Sequence, residues 1–174
     1  FLGLPFTSLG ADNTTIQELI NNTKRDVDGS MFGFSADPIP KERVGLIGFG
    51  NRGNTLLEML QYLVENKMDE VIALSDIKAE KINKAAEKLA VWQSKKPALY
   101  YKSAAEWKKL AQRDDIDLVI IATPWDFHSP MAIYCMENGK HVGSEVPIAS
   151  TIEDCWKLIE TAERTKKHCM MMEN

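Results

Sequence analysis

The segment Arg43-Val44-Gly45-Leu46-Ile47-Gly48-Phe49-Gly50-Asn51-Arg52-Gly53 constrains this chain more than any other. An apolar run that reads as a buried strand, Arg43 to Gly48, ends directly in GxGxxG, and a helix is predicted from about Gly53 to Asn66. In that setting each glycine has its own duty. Gly48 permits a tight turn, Gly50 lets the backbone approach a pyrophosphate, and Gly53 lets the helix lie close on the strand. The helix N-terminus adds unpaired N–H groups and a partial positive charge suited to phosphate. Alone, the motif reads equally well as a glycine-rich structural turn, so its meaning depends on the residues downstream of it.

The downstream residues keep the register. A second strand, Val71 to Ser75, ends at Asp76, 23 residues after Gly53. A carboxylate there accepts hydrogen bonds from ribose hydroxyls and repels a 2′-phosphate, which favours NAD over NADP. Arg52 could contact phosphate as well. The pattern then predicts a helix over Ala79–Trp92, a strand over Ala98–Tyr101, and a helix opened by a Ser103–Glu106 capping box. Leu118 to Ala122 is apolar at every position, as a strand covered on both faces should be. The next helix has Pro130 near its start and Gly139 just past its end. His141 to Ser144 is a fifth strand. Ser150 and Glu153 form a second capping box, opening a helix whose inward face would be Ile152, Cys155, Trp156, Ile159 and Ala162. Cys169 to Met172 is a sixth strand, with Met170, Met171 and Met172 read as core. This alternation implies βαβ units, hence an α/β, doubly wound parallel sheet. Ligands bind such sheets at the carboxyl ends of the strands.

Composition removes other classes. The chain has 174 residues with 21 Lys plus Arg against 25 Asp plus Glu, a net charge of −4. That leaves no basic footprint for nucleic acid. No apolar run approaches the roughly 18 residues of a membrane span. Cys135, Cys155 and Cys169 lack metal-ligand spacing and are expected to be small apolar or unreactive groups, with no metal and no disulfide framework. The lysines at 78, 81, 84 and 88, mixed with Glu80 and Glu87, read as a solvated helix face. Residues 1–40 read as an N-terminal arm and linker, with a short helix over Thr14–Lys24 and an extended Asp37-Pro38-Ile39-Pro40. Residues 41–174 form the nucleotide-binding domain. The apolar start, Phe1-Leu2-Gly3-Leu4-Pro5-Phe6, suits either a packed arm or the tail of a signal sequence.

At the predicted sheet edge, the fourth strand runs into Thr123-Pro124-Trp125-Asp126-Phe127-His128. Trp125 could cover a ring, and His128 could hydrogen-bond a cofactor or relay a proton; packing under the loop and helix capping are the plainer alternatives. Glu145 after the fifth strand sits where a polar group could reach a nicotinamide ribose. Asn174 comes just after the sixth strand. His141 and His168 begin strands at the opposite edge and are expected to be structural.

These segments, together with Gly139-Lys140-His141-Val142-Gly143-Ser144-Glu145-Val146-Pro147, resemble the Gfo/Idh/MocA oxidoreductases over about residues 42–174. The resemblance implies a Rossmann-type NAD-binding half, with the family's C-terminal α/β substrate domain and its catalytic residues lying after the position of Asn174. Many members carry Glu-Lys-Pro where this chain has Glu145-Val146-Pro147, and that lysine acts at the sugar carbon being oxidised. With Val146, the loop over 123–128 and the segment His168 to Asn174, the chain is more similar to the NAD-dependent branch known as glycoside hydrolase family 109, which includes α-N-acetylgalactosaminidases. Phe127 stands where tryptophan is frequent. The resemblance implies that Asn51, Arg52, Asp76, Trp125, Asp126, Phe127, His128, Glu145, Val146 and Asn174 line the NAD. It further implies glycoside cleavage in which transient oxidation at C3 of the sugar acidifies the C2 proton, the glycosidic oxygen leaves, water adds and C3 is reduced again, an exception to paired-carboxylate hydrolysis. The expected partner is a small-molecule sugar or glycoside, with homo-oligomerisation possible and a periplasmic or secreted location favoured. A conventional NAD-dependent sugar or cyclitol dehydrogenase and a non-catalytic NAD-binding module are the alternatives.

Overall fold

The computed structural model describes residues 30–173. The helix expected over 14–24 and the cofactor residue expected at Asn174 lie outside the described residues. Six strands, β1 (Glu42–Ile47), β2 (Asp69–Ser75), β3 (Ala98–Tyr100), β4 (Leu118–Ile121), β5 (His141–Glu145) and β6 (Cys169–Met172), form one sheet in the order β3-β2-β1-β4-β5-β6. Every pairing is parallel. Between them lie α1 (Asn51–Met59), α2 (Gln61–Glu65), α3 (Ala79–Trp92), α4 (Glu106–Ala111), α5 (His128–Glu137) and α6 (Ile152–Thr165). The strand order reverses between β1 and β4, the point where a crevice opens at the carboxyl edge of a doubly wound sheet.

Alternation along the strands feeds two cores. Val44, Leu46, Val71 and Leu74 face α1, α2 and α3 through Leu57, Val64, Ile82 and Leu89. Ile47, Ile72, Val119 and Ile121 face the other way, onto Leu110 of α4, Met131, Cys135 and Met136 of α5, and Leu158 and Ala162 of α6. Ile47 is level with Ser75 and Ile121, and Ile121 with Ser144, so the central strands end together and present one continuous edge.

The structure corrects several local expectations. The first helix begins at Asn51 and divides at Leu60, where the Leu60 N–H reaches both Leu56 O and Leu57 O and the turn tightens. No Ser103 capping box forms. The Ser103 backbone carbonyl takes the Glu106 N–H, while the Glu106 carboxylate pairs with Lys109. The cap of α6 is Thr151, one residue beyond Ser150: its Oγ1 accepts the Asp154 N–H at 3.0 Å and donates to Asp154 Oδ2 at 2.8 Å. The inward face of α6 is also turned from the one expected, with Ala162 the one expected position that is buried and Trp156 half-buried. Leu158, Thr161, Ala162 and Glu163 are buried, whereas Ile152, Cys155 and Ile159 are exposed. Met170 and Met171 are exposed because β6 is an edge strand, and Met172 alone of the three packs on the core, over Gly143 of β5. Cys135 is buried, and burial pushes its thiol up to about 12; Cys169 is half-buried and Cys155 is open to solvent.

At the amino edge of the sheet the two strand-opening histidines meet. The His168 N–H donates to His141 Nδ1 at 3.0 Å, their rings stack with centroids 5.4 Å apart, and Phe34 lies against His168. Both lie at the edge remote from the crevice and outside the cavity that it opens. Among the described residues no helix is long and apolar enough to cross a membrane, and no group of three or more His, Cys, Asp or Glu side chains is placed to hold a metal ion.

Candidate cofactor site

The glycine turn is built by close approach. Gly48 sits at φ +94°, and a Cβ there would meet Ala122 O at 2.5 Å. A Cβ on Gly53 would fall 1.9 Å from Gly48 O, so β1, the turn and α1 stack with no room for a side chain. Gly50 is different: nothing lies within 4 Å of where its Cβ would be. It is the N-cap residue of α1, that helix has no side-chain cap, and its first turn holds no acid. The start of α1 thus carries no side-chain cap and no acid, and open space lies beside the backbone at Gly50, the setting a pyrophosphate at a helix N-terminus requires.

Asp76 organises the neighbouring wall. Its Oδ2 accepts the Phe49 N–H at 2.6 Å and its Oδ1 accepts the Lys78 N–H at 2.8 Å, joining the end of β2 to the glycine turn and to the start of α3. The Asn54 side chain donates to Gly50 O at 2.9 Å and fixes the turn from the helix side. Between these walls lies a cavity of about 520 Å³, within the range of small-molecule and cofactor sites.

Of the residues expected from sequence, Gly48, Gly50, Asn51 and Arg52 line this cavity from one side, Asp76 from a second, and Thr123 with Phe127 from a third. Gly53 is buried beneath the turn. Glu145 reaches the site through Arg52, whose Nε donates to Glu145 Oε1 at 2.7 Å. Trp125, Asp126, His128 and Val146 do not line the cavity. Trp125 is 65% exposed on the 3-10 turn Trp125–Phe127, while Phe127 of the same turn borders the cavity. His128 is 1% exposed, with Nδ1 2.8 Å from Pro147 O and Nε2 2.7 Å from Thr123 O.

Sequence reading missed one wall. Ile77, Lys78 and Lys81 border the cavity past Asp76, and Ser103 and Ala104 of the connection after β3 close it together with Trp107 of α4. The signal was available: the rule that ligands meet the residues just past each strand applies to β3 as much as to β1, β2, β4 and β5.

Comparison with known proteins agrees with this fold. The family model GFO_IDH_MocA, described as an oxidoreductase family with an NAD-binding Rossmann fold, matches residues 42–173. The chain is 45% identical over 151 residues to a glycosyl hydrolase family 109 protein of Shewanella sp. (strain ANA-3), covering 87% of this chain and 32% of that one. It is 45% identical over 144 residues to an alpha-N-acetylgalactosaminidase of Bacteroides fragilis, covering 83% of this chain and 33% of the relative. Among solved structures, the WlbA dehydrogenase of Chromobacterium violaceum in complex with NADH and UDP-GlcNAcA superposes with a TM-score of 0.67 at 27% identity, over 79% of this chain and 37% of that one. The chain thus spans about a third of the length of the curated relatives it matches.

Proposed function

The chain belongs to the Gfo/Idh/MocA oxidoreductase family with its NAD-binding Rossmann fold, and from that premise we propose that it is the NAD-binding part of a glycosidase acting on N-acetylgalactosaminides. The observation that carries the substrate class is the 45% identity to proteins named alpha-N-acetylgalactosaminidase, across the domain that holds the cofactor. Val146 supports it, since it replaces the lysine that many dehydrogenases of the family use at the sugar carbon.

Bound NAD supplies reversible oxidation of a substrate carbon, so a cofactor restored in every turnover fits glycoside cleavage without net redox change. The chain's own residues do the holding. The open backbone at Gly50 and the uncapped start of α1 would hold the pyrophosphate. Asp76, at the cavity wall, would hold the ribose hydroxyls and disfavour a 2′-phosphate. Thr123 and Phe127 form the wall towards the carboxyl end of β4, where a substrate approaches, and Phe127 keeps water from that side. The proton-transfer groups of the reaction are assigned to the sequence that corresponds to the remaining length of the relatives.

A conventional sugar dehydrogenase is the competing reading, favoured by the superposition on WlbA dehydrogenase. One experiment separates the two. The complete gene product is mixed with a chromogenic aryl α-N-acetylgalactosaminide without added NAD, and aryl release and NADH absorbance are monitored together. Many turnovers with no net NADH are expected. Absence of aryl release, with NADH accumulating on free sugars plus NAD, would replace the glycosidase by the dehydrogenase.

A further inference from the structure

We propose that Asn54 is a positioning residue for the cofactor's pyrophosphate: its side-chain amide draws the carbonyls of Phe49 and Gly50 to the helix side and so turns the N–H groups of Gly50 and Asn51 to the cavity. The role rests on the reading of this cavity as an NAD site, and extends it to a residue that does not line the cavity.

The turn needs a hold from outside. Gly48 and Gly50 flank Phe49, and glycine leaves a peptide free to take orientations closed to other residues. From the β2 side, Ser75 O accepts the Gly48 N–H at 2.8 Å and Asp76 Oδ2 accepts the Phe49 N–H at 2.6 Å. Neither contact reaches the next two peptides, Phe49–Gly50 and Gly50–Asn51. Asn54 holds both. Its Nδ2 donates to Gly50 O at 2.9 Å and to Phe49 O at 3.3 Å. The partners fix the roles. Both are backbone carbonyls, which only accept, so the NH₂ end of the amide faces them and has one hydrogen for each. The turned-over amide would set its oxygen against two oxygens.

Both peptides are trans, so each N–H points opposite to its own C=O. The N–H that shares a peptide with Phe49 C=O is that of Gly50, and the one that shares a peptide with Gly50 C=O is that of Asn51. Two carbonyls gathered on Asn54 therefore aim these two N–H groups away from it. Gly50 and Asn51 line the cavity, so away from Asn54 is towards the site. Gly50 is the N-cap of α1 and Asn51 its first residue, the place where a helix N-terminus receives an anion.

The test uses the 174-residue chain, with NAD and ADP as ligands and the backbone ¹H–¹⁵N spectrum as a second readout. Asn54→Leu keeps the size of the side chain without its donors. It is expected to bind NAD and ADP alike about fivefold more weakly, the scale for losing one neutral hydrogen bond. Asn54→Ser is expected to recover part of the loss, because a helical serine hydroxyl bonds the carbonyl four residues back. The Gly50 and Asn51 amide signals of the parent are expected to move on saturation with ADP, and to move less in Asn54→Leu. A residue that only stabilised the helix would change urea unfolding and leave these affinities and shifts alone. A folded Asn54→Leu chain that binds both nucleotides as tightly as the parent would overturn the proposal. So would a loss confined to NAD, which would place the effect at the nicotinamide end. If Asn54→Leu fails to fold, the parent's amide signals and Asn54→Ser decide: Gly50 and Asn51 signals unmoved by ADP would overturn the role. A parent that binds neither nucleotide would remove the NAD reading itself, and the role with it.

Discussion

Arg52 and Glu145, 93 positions apart, meet through a 2.7 Å hydrogen bond from Nε to Oε1 that fastens the first turn of α1 to the last residue of β5. The two sides are unequal: the Glu145 side chain is one-tenth exposed and the Arg52 side chain one-third. Removing Arg52 therefore leaves a carboxylate that water reaches poorly. Arg52→Ala is expected to lower unfolding stability by about 1–3 kcal/mol, the scale for a buried polar group that loses its partner, and towards the low end because the arginine side is partly solvated. Urea unfolding of the free chain measures this. Arg52→Lys restores little, because an ammonium does not reproduce the directed Nε–H.

Asp76 is committed on both oxygens, to the Phe49 N–H and the Lys78 N–H. An asparagine presents an NH₂ to one of those donors, so one contact turns from attraction to repulsion. Asp76→Asn is expected to weaken NADH binding by about tenfold, the loss of one charged hydrogen bond, and to weaken NADPH binding less, because the charge that repels a 2′-phosphate is gone. Fluorescence titration with the two reduced nucleotides reads both changes. Equal losses for the two would remove Asp76 from the choice between them.

The two glycines at the ends of the α1 junction separate folding from binding. Gly53→Ala drives a Cβ to 1.9 Å from the Gly48 carbonyl oxygen, a backbone atom that cannot swing aside. It is expected to cost more than about 4 kcal/mol, in the exceptional range for a point substitution, and to leave little folded chain by circular dichroism. Gly50→Ala meets nothing within 4 Å, and its φ of −71° suits alanine. Its melting temperature is expected to equal or slightly exceed the parent's, while NAD binding falls sharply because the methyl group occupies the approach to the helix N-terminus.

How far the sequence could be read depends on which forces act locally. β4 was legible because a strand covered on both faces must be apolar at every position, as Leu118 to Ile121 are. The glycine turn was legible because sterics demand glycine at Gly48 and Gly53. The face of α6 was not, since Ile152-Cys155-Ile159 and Leu158-Thr161 both fit the helical period beside Ala162, and only the position of α5, on which α6 packs, decides between them. Met170 and Met171 misled for a related reason: an apolar strand looks the same in sequence at the centre of a sheet and at its edge. The burial of His128 was hidden because its partners, Thr123 O and Pro147 O, are backbone atoms that no residue type announces.

The cap of α6 gives a small, clean contrast. Thr151 Oγ1 takes the Asp154 N–H, and the neighbouring Ser150 caps nothing in α6. Thr151→Ala is expected to lower stability by about 1 kcal/mol, the usual worth of an N-cap hydroxyl. Ser150→Ala is expected to leave stability unchanged within experimental scatter. Chemical denaturation of the two variants side by side checks the register; the reverse order would place the cap one residue earlier.

Arg43 and Asp117 give the pH dependence. Arg43 donates its backbone N–H at 2.9 Å and its Nε at 2.8 Å to Asp117 Oδ2, and its terminal nitrogen to Oδ1 at 2.6 Å. The guanidinium hydrogen bonds hold the Asp117 carboxyl below its ordinary value, outweighing desolvation. A carboxylate that is easier to ionise when folded stabilises the fold above its unfolded value, and the contribution is lost as pH falls through the folded value. Glu42 and Asp69, raised chiefly by burial, work in the opposite sense, so the total pH profile of the parent mixes both. Asp117→Asn isolates the pair. The stability gap between parent and variant is expected to be widest at about pH 7 and to narrow as pH falls below the ordinary carboxylate range and through the lowered folded value of Asp117, where the protonated parent comes to resemble the amide. Urea unfolding at several pH values measures the gap, and a gap that stays constant into acid would mean that Arg43 stabilises Asp117 no better than it stabilises an amide.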